Sequence, residues 1–101
     1  MRQVFLSIDA RQRDAWRSAF PASTVGRLDD PPSDTAVIWL LLPAEENPAT
    51  VLDRLRQRSS PESRWVVLAD APDEDAALAA LAAGAVGYCN GQAAPTVLQQ
   101  V

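Results

Sequence analysis

Apolar positions in this chain fall into short continuous runs, and the stretches between them carry apolar residues at helical spacing. Val4 to Ile8 is the first such run, and Asp9 closes it in the position of a helix N-cap. Ala15, Trp16, Ala19 and Phe20 then recur three and four apart, which predicts a helix over Ala10 to Phe20 with these four as its buried stripe. Pro21 ends it, and Thr24 to Leu28 reads as a brief strand. Thr35 to Leu42 is the most apolar run and is expected at the centre of a sheet. Pro43 breaks that run, and Asn47-Pro48 is an N-cap followed by proline in the first helical turn. The helix from Pro48 to about Arg58 is expected to bury Val51, Leu52 and Leu55.

The segment Trp65 to Asn90 contains a complete strand–helix–strand unit. Trp65 to Ala69 is an apolar strand, and Pro72 and Asp73 open a helix whose bulky stripe is Leu78 and Leu81. Gly84 stands where the helix end needs a left-handed residue, and Ala85 to Cys89 is the following strand. A last helix starts at Pro95 and carries Val97, Leu98 and Val101. Strands alternating with helices imply one doubly wound parallel α/β domain, 1–101.

One crossover does not fit the rule. Asp29 to Asp34 offers only six residues, rich in proline and aspartate, where parallel strands need about a dozen or more. A helix is expected to be missing there. The sheet face over the first two strands would then need cover from side chains, a second subunit or a partner.

The run Ala82-Ala83-Gly84-Ala85-Val86-Gly87-Tyr88, set between these elements, resembles the signature of bacterial response-regulator receiver domains. The resemblance extends over the whole element order. It implies a flavodoxin-like five-stranded sheet in the order 2-1-3-4-5, ending within the last helix and often followed by a helix-turn-helix effector. It also implies a phosphoacceptor pocket, and here the sequence departs from the family. The acceptor lies four residues before the proline after the third strand, a position that falls on Trp39. The acidic pair falls on Ile8 and Asp9, the hydroxyl on Ala69, and the lysine near Asn90 or Gly91. The resemblance therefore implies a degenerate receiver, with Trp39 as core or as a plug in the pocket.

Composition supports that reading. The nine cations are all arginines, so the chain has no lysine or histidine for phosphate contact, general-base or metal-ligand chemistry. Asp9 is expected as a cap, and Asp70, Asp73, Glu74 and Asp75 as an acidic first helical turn. Arg54, Arg56 and Arg58 read as a solvated helix end. The net charge of −4 argues against direct nucleic-acid contact, and no run is long enough to span a membrane. A single cysteine, Cys89, suits a reducing cytoplasm.

The expected function is a non-catalytic, cofactor-free regulatory module working as a homodimer or with a partner signalling protein. Its contact surface would be the alanine-rich helix and the strand after it, through Ala76, Ala79, Ala80, Ala83 and Tyr88. Two alternatives remain at this level. A displaced acid, Asp9 or Asp70, could accept phosphate, or the crevice lined by Asp9, Trp39, Ala69, Asp70 and Asn90 could hold a small ligand.

Overall fold

In the computed structural model, which describes residues 2–101, every strand of one sheet runs parallel to its neighbours. The strands are β1 (Gln3–Ser7), β2 (Thr24–Arg27), β3 (Val37–Leu41), β4 (Arg64–Ala69) and β5 (Gly87–Asn90). They lie in the order β2-β1-β3-β4-β5, with β3 at the centre. Parallel strands covered on both faces need apolar residues at successive positions, which is why these runs are continuous.

Alternation along each strand divides the core in two. Phe5, Trp39, Val66 and Leu68 face α1 (Asp14–Ala19) and α4 (Pro95–Gln99), which supply Trp16, Ala19 and Leu98. Val4, Leu6, Ile38, Leu40 and Val67 face the other way, under α2 (Pro48–Arg56) and α3 (Glu74–Ala82). This is a doubly wound, flavodoxin-like α/β fold. Among the described residues, no helix is long and apolar enough to cross a membrane.

No helix forms over residues 28–36, and the sheet face there is nonetheless closed. Leu28, Pro31 and Ala36 are buried, and beneath them Val4 and Leu6 are 5% and 0% exposed. Arg58 donates to the Asp29 carbonyl, and Arg54 pairs with the Asp29 carboxylate. The chain covers its own sheet, so no second subunit is required to hide it. Arg54, Arg56 and Arg58 stay exposed, as expected of a solvated helix end, and Arg56 also donates to the Ala83 carbonyl at the end of α3. Gly84, at φ +107°, lets that guanidinium pass where a side chain would stand.

Two helices differ from the spacing-based reading. α1 begins at Asp14 and not at Ala10, because Asp9 is not its cap. The Asp9 carboxylate accepts from the Arg11 N–H and the Ser7 hydroxyl, closing a tight turn, and Ala10 takes a left-handed φ of 54°. The second difference is the rotation of α3. Leu78 and Leu81 are 61% and 47% exposed, and Ala80 is fully buried against the core beside Ala85. A helix with an alanine face can bury that face and approach the sheet closely, leaving its leucines in water. Ala80 is therefore unavailable as a contact residue, whereas Ala76, Ala79, Ala83 and Tyr88 are partly exposed. Likewise Val97 and Val101 are exposed at α4, and Leu98 alone enters the core.

Candidate functional site

The carboxyl ends of β1, β3 and β4 open into a crevice of about 700 Å³. Ser7, Ile8 and Asp9 form one side, Leu41, Leu42 and Pro43 the next, and Ala69 and Asp70 the third. Of the positions assigned from sequence, Ile8, Asp9 and Ala69 line it. Trp39 and Asn90 do not. Asn90 turns its carboxamide oxygen to the Gln92 N–H, 2.8 Å away.

Trp39 sits two residues before the end of β3, at 1% exposure, inside the aromatic cluster under the sheet. Its ring lies 5.4 Å from Phe5 and 5.4 Å from Phe20, and its Nε1 donates to Gln3 at 2.6 Å. The indole is a core residue and not a plug. The tip of β3 is Leu41, which pairs with Leu68 of β4. Spacing from Pro43 missed Leu41, because β3 continues past the position that the spacing indicates.

A second feature was not legible in the chain. Arg13, at the N-terminus of α1, reaches across the edge of the crevice to the end of β4. Its guanidinium makes two bonds to the Asp70 carboxylate, 2.7 and 2.9 Å, and a third to the Gly91 carbonyl at 2.9 Å. The cation also stands 5.2 Å from the Trp16 ring centre. Gly91 makes this possible. A Cβ there would come within 2.6 Å of the Asp70 oxygen and 2.9 Å of Leu41 Cδ1. Residues 57 and 78 positions apart carry no local pattern that could announce such a clamp.

The electrostatics follow from these contacts. The hydrogen bonds from Arg13 hold the Asp70 carboxyl below its ordinary range. Asp9 is also held low, chiefly by the Arg11 N–H and then by the Ser7 hydroxyl. Both stay ionised at neutral pH. Among the described residues, no three Asp, Glu, Cys or His side chains converge as a metal-binding group.

A carboxylate depressed on folding stabilises the native state above its unfolded pKa and loses that contribution as pH falls through the folded value. For the partly exposed Asp70, Asp70→Asn is expected to cost about 0.5–1 kcal/mol at neutral pH. The gap between variant and wild type should narrow as the pH falls below the ordinary carboxylate range, through the depressed folded-state value. Urea unfolding of both proteins at neutral and acid pH measures it. A gap independent of pH would mean that the ion pair contributes nothing.

No protein-family model matches the chain, and no curated protein matches it. Among solved structures, a response regulator from Thermotoga maritima superposes with a TM-score of 0.72 at 19% identity, covering 98% of this chain and 92% of that one. The fold is that of a response-regulator receiver.

Proposed function

We propose that the chain is a receiver-like regulatory module of bacterial signal transduction or transcription control, acting through protein contact and not through an aspartyl phosphate. The observation that carries this reading is the tip of β3, where Leu41 presents a hydrocarbon side chain at the end of the central strand. Phosphoryl transfer requires a free carboxylate, a cluster of oxygens for magnesium, and a cation on the developing charge. The three aspartates lining the crevice are otherwise engaged, Asp70 by Arg13, Asp9 in its turn and Asp73 as the N-cap of α3. Arg13 is tied to Asp70 and so is not free to meet the charge that a receiver gains on phosphorylation.

The test is direct. After incubation with acetyl phosphate and magnesium, intact mass spectrometry is expected to show only the unmodified chain. An added phosphoryl group removed by hydroxylamine would establish an acyl phosphate and end this reading.

The surface that would carry contact is apolar and lies at one edge of the sheet. Leu78 and Leu81 on α3, Val86 before β5, and Val101 beside Gly87 are all exposed. Exposed apolar side chains grouped in this way mark interaction surfaces. Sedimentation at micromolar concentration is expected to show self-association that Leu81→Ser with Val86→Ser abolishes, without loss of folding. A wild-type chain that stays monomeric throughout would remove self-contact and leave a different protein as the partner.

A further inference from the structure

We infer that the crevice at the carboxyl end of the sheet binds a small organic cation with an apolar body, such as an amphipathic amine. Three properties point there. Its volume of about 700 Å³ lies within the roughly 300–1,000 Å³ of small-molecule sites. Its wall is apolar at Leu41, Leu42 and Ala69, and Ile8 projects there with 67% of its surface uncovered. A large aliphatic group left in water at the wall of a cavity gains from an apolar occupant.

The third property is charge. Asp9, Glu45, Glu46, Asp70 and Asp73 line the crevice, against Arg11 and Arg13 alone. Arg13 is already matched by Asp70, which leaves the remaining carboxylates facing one arginine. That field repels phosphate, nucleotides and carboxylic acids and concentrates cations. Without a converging set of three ligands, it does not suit a bare metal ion. An organic cation needs no such convergence, because its charge is met at longer range and its body is held by the wall.

The loops on either side are built with strain. Among the described residues, Ala10 and Glu45, at φ 54° and 71°, are the non-glycine residues with positive φ, and they stand in the β1–α1 and β3–α2 loops. Such conformations persist where surrounding contacts hold a functional shape.

This inference goes beyond the phosphate-independent reading and does not rest on it, since the phosphodonor experiment involves no amine. The test titrates the full chain with phenethylamine and 1-naphthylmethylamine, and separately with phenylacetate and 1-naphthylacetate, following backbone amide resonances. The amines are expected to shift Ile8, Leu42 and Ala71 saturably, and the acids to leave them in place. Glu45→Gln with Glu46→Gln should weaken amine binding roughly three- to tenfold, and Arg11→Gln should tighten it roughly twofold. Neither amine binding, or the acids binding more tightly, would overturn the assignment. So would affinities unmoved by the charge variants, because the site would then be only a hydrophobic notch.

Discussion

Trp39→Ala is expected to lower folding stability by about 3–5 kcal/mol, the largest effect of any single truncation considered for this chain. The indole is 1% exposed, packs on Phe5 and Phe20, and donates its N–H to Gln3. Truncation would leave a cavity at the centre of the sheet and orphan the Gln3 acceptor. Domains of this size are stable by about 5–15 kcal/mol, so the variant would be marginal at best. Urea denaturation should show a much lower midpoint with an unchanged slope. Trp39→Phe keeps a ring against Phe5 and should cost less than half as much. A near-neutral Trp39→Ala would contradict the core placement and return the indole to the crevice wall.

This residue also shows what the chain's pattern can and cannot specify. Strand existence and the central place of β3 follow from continuous apolar runs, the strand order is what the resemblance to receivers implies, and all are present in the fold. The Asn47 cap is equally local, with its side chain accepting from the Ala49 and Thr50 N–H groups. Which residue occupies the mouth of the site is a different kind of question. A proline marks where a strand must stop, but not how many residues separate the last paired position from the loop. Counting back from Pro43 therefore reached a buried residue two positions too early.

The rotation of α3 failed for another reason. Helical spacing identifies stripes on a helix, and bulk normally decides which stripe turns inward. Where the opposite stripe is alanine, close approach of the backbone competes with burial of leucine. Here the alanine face lies on the core. The α1 start misled because Asp9 is as able to close a tight turn as to cap a helix. Absence of the helix between β2 and β3 was legible from length alone. That Leu28 and Pro31 would seal the face in its place was not, since it depends on contacts with β1 and on Arg54 of α2 and Arg58 just after it.

The Arg13 clamp gives the second large prediction. Gly91→Ala is expected to destabilise by about 1–3 kcal/mol, as an overpacked site does. The added carbon would stand 2.6 Å from the Asp70 oxygen, 2.9 Å from Leu41 and 3.2 Å from the Arg13 nitrogen. Asp70 would have to swing away, breaking its paired bonds to Arg13. If the clamp is the reason that glycine is needed, the cost must depend on Asp70. In an Asp70→Ala background the colliding oxygen is gone, so the same Gly91→Ala change should cost less. The coupling expected from a double-mutant cycle is at least about 0.5 kcal/mol. Strict additivity would mean that Gly91 serves some other constraint, such as the nearby Leu41 methyl, and that the ion pair rests on the surface without a fitted seat. Coupling of the predicted sign would show that the end of β4, the end of β5 and the start of α1 are held as one unit by an arginine.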